Sequence, residues 1–273
     1  MMRPRLRAGW RLVIQMTILG WLLLLEIFAF AFARSFYHWQ VSDTGLFILG
    51  ILFQLIAFTL SVYMARRFLD RRSFLDLGLR MDEDTATEIF LGVITAAGLW
   101  MLVFFGMAAL HWLDWQRASS SWFQVVLYFL LFCVVGFQEE LLCRGYILKT
   151  ITGGWNVFWG MLISSAIFAA LHLGNPGVSW MAMLGIFCAG MLLAFAAVRT
   201  GKLWLSIGLH TGWNFFEAVV FGFTTSGVVI PALMKIHLTG PLLWTGGAFG
   251  PEAGLIILPA LAVGAGLVWA FTR

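Results

Sequence analysis

Residues 122–148 read WFQVVLYFLLFCVVGFQEELLCRGYIL, and this stretch decides the fold. No charge appears before Glu139, and the apolar residues follow one another without two-residue alternation. The run exceeds the roughly 20 residues a helix needs to cross about 30 Å of hydrocarbon. Lipid leaves unpaired backbone groups unsatisfied, so a spanning segment is a helix or part of a closed barrel. A long run without alternation selects the helix. Seven further runs of this kind occur at about 12–33, 45–65, 86–110, 156–173, 178–198, 203–222 and 252–272.

Composition agrees. Of 273 residues, 61% are apolar and 11% charged, against about 25% charged in a soluble domain. Mean hydropathy is +0.92. Cys133, Cys143 and Cys188 all lie in apolar stretches and form no C-x-x-C pair, which argues against a disulfide framework or a thiolate zinc site. The first run follows a basic start (Arg3, Arg5, Arg7, Arg11), and Ala29-Phe30-Ala31 faintly mimics a signal-peptidase site. Its length exceeds the 7–15 residues of a cleavable signal, so an uncleaved anchor is expected.

The basic residues set the topology. With the N-terminus inside, the inner segments hold Arg3, Arg5, Arg7, Arg11, Arg66, Arg67, Arg71, Arg72, Arg80, Arg144, Lys149, Arg199, Lys202 and Arg273, against Arg34, Arg117 and Lys235 outside. This 14-to-3 division of all 17 cations predicts an all-α, eight-span membrane bundle with both termini cytoplasmic. The location expected for the chain is the cytoplasmic membrane of a prokaryote. The basic balance is then a topology signal, and no nucleic-acid partner is needed to explain it. The lipid bilayer is the partner that composition demands.

Three regions follow: helices 1–3 in residues 1–121, a core of helices 4–7 in 122–222, and an outer loop with the last helix in 223–273. Residues 66–84 form the longest inner loop. They read either as an interfacial piece with Phe68, Leu69, Phe74 and Leu75 toward lipid or as a solvated connector. Residues 223–251, rich in Gly and Pro and nearly uncharged, read as an outer loop that partly re-enters. Tryptophans near span ends serve as interfacial anchors, and His38, His111 and His237 fall near span ends or in outer loops.

Ionisable groups inside a span cost about 2.5–3.5 kcal/mol each on insertion scales, so those that persist require a reason. In the fourth span Glu140 and Arg144 are four apart, on one helix face, and can pair. Glu139 points about 100° away and lacks that partner, which leaves its carboxylate available for proton transfer. The fifth span offers Phe168 and His172, the seventh His210 and Asn214, each pair again four apart. Six polar groups from three helices converge only in a bundle interior, because the lipid face would be too costly.

Glu139-Glu140-Leu-Leu-Cys-Arg144, Phe168-Ala-Ala-Leu-His172 and His210-Thr-Gly-Trp-Asn214 resemble, in order, the E-E-x-x-x-R, F-x-x-x-H and H-x-x-x-N motifs of the CAAX-protease and bacteriocin-processing family of intramembrane peptidases. The resemblance covers about residues 120–220. It implies hydrolysis of a peptide bond in a membrane-delivered peptide or protein substrate, by water and without a covalent intermediate. Glu139 is then the general base, His172 helps hold the water, and His210 and Asn214 stabilise the oxyanion. Glu140 and Arg144 form a structural ion pair, with Phe168 as motif support. No cofactor is favoured. The alternative is a catalytic zinc on Glu139, His172 and His210, although the H-E-x-x-H spacing of zinc peptidases is absent.

Other chemistries stay open at this point. Ser206 and His210 are four apart and permit a Ser–His dyad, but no G-x-S-x-G surrounds Ser206. Cys143 has no evident base beside it and reads as a packing residue. A non-catalytic scaffold or immunity protein of the same fold is the second function class. A transporter with carboxylate proton relays is the third, and the sequence shows none of the repeats transporters often carry. Depth poses a difficulty: His172 lies about 16 residues, roughly 24 Å, from the inner end of its span, whereas Glu139 and His210 lie about 10–14 Å from theirs.

Overall fold

The computed structural model describes residues 6–36 and 42–273; Arg3, Arg5 and His38 lie outside them. Eight helical rods coincide with the eight expected runs. They are α1 (Ala8–Phe36); α2 (Asp43–Met64) with a π-helical extension Ala65–Asp70; α3 (Thr85–Ala109); α4 (Trp122–Glu140), continuing through a π-helical stretch Leu141–Leu148 into α5 (Lys149–Gly154); α6 (Val157–Leu171); α7 (Trp180–Thr200); α8 (Trp204–Asn214) with a π-helical extension Phe215–Val220; and, after the short α9 (Leu242–Thr245), α10 (Ile257–Phe271). Five rods are long and apolar enough to cross a membrane: 8–36, 44–70, 85–109, 122–154 and 180–200. Helices α6 and α10 are apolar but only 15 residues long.

Side-chain caps begin the rods where the sequence supplies them. Ser121 and Gln124 close a reciprocal capping box on α4, Asn156 accepts from the Trp159 N–H at α6, and Ser179 accepts from the Ala182 N–H at α7. These caps satisfy amide donors that the first turn leaves free. Helix α7 ends on Gly201 at φ 68°, a conformation that costs glycine little.

Helix α8 is the pillar of the bundle, with every one of its residues buried. It lies tightly along α3 because glycines face the contact. A Cβ on Gly208 would overlap the Ile89 carbonyl, and one on Gly92 would overlap the Leu205–Leu209 backbone. Small residues permit such close approach, and lipid offers no hydrophobic drive to replace it. Gly208→Val is therefore expected to destabilise the bundle by about 1–3 kcal/mol, read as a lower midpoint in a detergent thermal-denaturation assay. An unchanged midpoint would contradict the contact.

The chain is not wholly α-helical. Strand β1 (Leu113–Arg117) pairs antiparallel with β2 (Met234–Leu238), from Leu113 opposite Leu238 to Arg117 opposite Met234. Part of 223–251, expected to be loop, is thus a ribbon strand. Met234, Ile236 and Leu238 turn partly inward while Lys235 and His237 point out, a short alternation that the Gly/Pro-rich surroundings mask. The pairing joins segments more than a hundred residues apart, which no local pattern reports.

Segment 66–84, expected as a lipid-lying piece or a solvated connector, is largely exposed but buries Leu77, Gly78 and Leu79. It is a strap packed across helix ends. Leu77 and Leu79 are buried, the Leu203 N–H donates to Gly78 O at 3.0 Å, and the Trp204 indole donates to Arg80 O at 3.1 Å. Phe68 and Leu75 are exposed, but Leu69 and Phe74 pack against the core. Lys202 pairs with Asp82 at 2.7 Å and Glu88 at 2.9 Å, and the hydrogen bond from Lys202 holds the Asp82 carboxyl below its usual pKa.

Candidate active site

Glu139 and Glu140 close the last α turn before the π-helical stretch 141–148, and Asn214 precedes another at 215–220. Such widened turns are rare and gather at functional sites. The two glutamates diverge around the helix as expected. Glu140 is fully buried and accepts from three groups: Arg144 Nη1 at 2.7 Å, His210 Nδ1 at 3.0 Å and the Ser206 hydroxyl. Arg144, equally buried, extends Nη2 to the Gly190 carbonyl on α7 at 2.9 Å and sets its guanidinium 4.3 Å over the Phe168 ring. A Cβ at Gly190 would stand 3.2 Å from that ring and 3.3 Å from Arg144 Nη2, so glycine leaves room for the fork. The expected Glu140–Arg144 pair is present, and Glu140 additionally orients His210.

Glu139 turns instead into a cavity of about 270 Å³ that His172, His210 and Asn214 also line. Its Oε2 is buried without a hydrogen bond and stands 3.8 Å from His210 Nε2. His172 caps the end of α6, with Nδ1 2.8 Å from the Phe168 carbonyl. A carbonyl only accepts, so Nδ1 carries the proton and the neutral ring keeps its Nε2 lone pair. The same logic holds for His210 Nδ1 against the Glu140 carboxylate. Phe168 contacts both rings, its centroid 4.9 Å from that of His172 and 5.7 Å from that of His210. All seven residues singled out in the sequence thus meet at one place.

The depth discrepancy has a structural reason. Helix α4 does not stop near 148 but runs through the π stretch and α5 to Gly154, so Glu139 lies 15 residues before the end of its rod and His172 lies 15 residues after Val157. Helix α8 begins at Trp204 and brings His210 Nε2 to 3.8 Å from Glu139 Oε2.

Ser206 does not form the dyad that its spacing permits. Its hydroxyl lies against Glu140 and the Leu193 carbonyl, with no hydrogen bond to His210 among the described residues. Cys143 is fully buried in the core. Among the described residues no group of three or more His, Cys, Asp or Glu is close-set enough to hold a metal ion.

Two further carboxylates escaped sequence reasoning. Glu252, on the cavity wall, accepts from the Trp213 indole at 2.9 Å and from the Ser226 N–H and hydroxyl at 2.8 and 3.0 Å. Glu217 is fully buried and accepts from Thr225 Oγ1 at 2.6 Å. Glu217 lies within the seventh expected run, and an ionisable residue there is the signal that could have found it. The pair anchors Thr225 and Ser226, which also line the cavity, and the Asn175 amide donates to the Ser226 carbonyl at 2.8 Å.

Fold and site together define an integral membrane protein of mostly helical build, with an interior cavity where glutamate and histidine from three helices meet. Residues 120–216 match the family model described as Rce1-like, type II CAAX prenyl endopeptidase Rce1-like. The matched segment contains every motif residue. It spans a little over a third of the chain. No curated protein and no solved structure matches the chain.

Proposed function

We propose that this chain is an intramembrane endopeptidase of the CAAX-protease type that hydrolyses a peptide bond in a membrane-delivered substrate with Glu139-activated water. The observation that carries it is the unbonded Glu139 oxygen 3.8 Å from His210 Nε2 at the cavity wall. A water about 2.8 Å from each atom fits that gap. Glu139 takes a proton from this water as its oxygen attacks the scissile carbonyl, and His172 Nε2 accepts the other O–H. The Asn214 amide donates to the developing oxyanion, an interaction worth about 2.7–4 kcal/mol in a site closed to solvent. With both hydrogens of the water spent on Glu139 and His172, His210 meets it with both ring nitrogens protonated, Nδ1–H held by Glu140 and Nε2–H donated to the water oxygen and then to the oxyanion. Collapse breaks the C–N bond, and the proton held by Glu139 passes to the leaving amine.

All eight rods span the bilayer in this reading, with both termini cytoplasmic, as the 14-to-3 division of cations supports. Arg117 and Lys235, two of the three cations assigned outside, lie together on the β ribbon.

The test is cleavage of a membrane-peptide library by reconstituted protein, with and without chelator. Cleavage is expected to survive chelator; loss that added zinc restores would move the mechanism to a metallopeptidase. Ser206→Ala removes one donor to Glu140, a loss of about 0.5–1.5 kcal/mol, and is expected to keep the rate within about tenfold. A fall to background would mark Ser206 as a nucleophile and end the water mechanism.

A further inference from the structure

A second cavity, of about 960 Å³, opens between the start of α1, the end of α2 and the α4–α5 rod, away from the catalytic residues. Five cations line it: Arg7, Arg11, Arg66, Arg72 and Lys149. Against them stand only Asp70 and Asp76. Asp70 is buried and shared between Arg11 at 2.5 Å and Arg66 at 2.9 Å, while Asp76 pairs outward with Arg80 at 2.7 Å. Among the described residues Lys149 donates to backbone carbonyls, Asp76 O at 3.2 Å and Gly201 O at 3.4 Å, and makes no salt bridge. Arg7 and Arg72 make no salt bridge among the described residues. Arg66 is more than nine-tenths buried, yet its Nε has no hydrogen-bond partner, and neither has the Nε of Arg11.

Buried donors of this kind call for an acceptor, and uncompensated positive charge calls for an anion. The volume suits a small-molecule ligand. The wall is two-sided: Trp10, Val13 and Trp155 flank the cations as exposed apolar surface. Such a wall matches a molecule with a charged head and an apolar tail, and basic pockets between membrane helices take anionic headgroups.

We propose that this cavity binds the phosphate-bearing headgroup of an anionic phospholipid. Guanidinium forks take phosphate oxygens in pairs, and Arg7 and Arg72 at the rim supply the charge not spent on Asp70. The start of α1 closes one end of the cavity, where a Cβ on Gly154 would overlap Ala8. Bound lipid therefore braces a helix that is otherwise scarcely buried, 6% over its spanning window.

Delipidated protein in detergent should gain several degrees of thermal midpoint with a short-chain phosphatidylglycerol and little with the phosphatidylcholine of equal chain length. The double variant Arg7→Gln/Arg72→Gln, both exposed residues remote from the catalytic cavity, should keep its unliganded midpoint and lose at least half of the phosphatidylglycerol shift. Equal stabilisation by both lipids, or a variant that keeps the whole preference, overturns the proposal. A shift of the same size with inorganic phosphate alone would overturn the lipid and assign the cavity to a free anion. Failure of this site leaves the peptidase reading untouched, because cleavage is not its readout.

Discussion

Glu139→Gln is expected to lower peptide cleavage by about 10²–10⁴-fold, the range that a positioned general base contributes, while the protein folds as before. Gln has the shape of Glu but cannot take a proton from water. The Glu139 Oε2 atom makes no hydrogen bond in the resting structure, so the exchange breaks none there and adds no volume. The thermal midpoint should move by no more than a surface substitution moves it, about 0.5 kcal/mol or less. Substrate binding should persist, so kcat falls and KM changes little. Asn214→Ala is the companion measurement: losing one oxyanion donor costs about 10²–10³ in kcat, again with a folded protein. Wild-type rates in a folded Glu139→Gln protein would remove Glu139 from the chemistry. If a cellular phenotype also survived both substitutions, the scaffold reading would replace the enzyme.

What the sequence made legible follows from which interactions are local. The eight rods were readable because a spanning helix satisfies its backbone within itself and is written in one continuous apolar run. The meeting of Glu139, His172, His210 and Asn214 was readable because lipid forbids polar side chains on the outer face, so their presence alone points them inward. The π-helical continuation past Glu140 was not readable, since helix type inside a run leaves no change of hydropathy. With it the α4 rod ends at Gly154, so Glu139 lies as many residues from that end as His172 lies from Val157. Equally hidden was the role of Ser206. A four-residue spacing to His210 says that two groups share a helix face, not which neighbour on another helix claims the hydroxyl. Glu140, on α4, claims it. The β ribbon and the Glu252–Ser226 link join distant segments, and only the folded chain brings those partners together.

Arg144→Met is expected to act through the fold rather than the chemistry. The guanidinium does not itself line the cavity; it spans Glu140, the Gly190 carbonyl and the Phe168 face at the junction of α4, α6 and α7. Removing it leaves the buried Glu140 charge opposed only by hydrogen bonds from Ser206 and His210. Breaking a buried pair in this way costs about 3–5 kcal/mol, so the thermal midpoint in detergent should drop steeply, with activity falling in step with the folded fraction. Arg144→Lys should fall between the two, because a single ammonium keeps the charge but cannot fork to both Glu140 and Gly190. The double variant Glu140→Gln/Arg144→Met separates the roles. With both charges gone, most of the lost stability should return, since the penalty arose from the unpaired carboxylate. Cleavage should stay low, because His210 no longer has a carboxylate to fix its Nδ1 proton and its aim into the cavity. If Arg144→Met instead lost cleavage at an unchanged midpoint, Arg144 would have to act on the substrate directly, and the ion pair would lose its structural role.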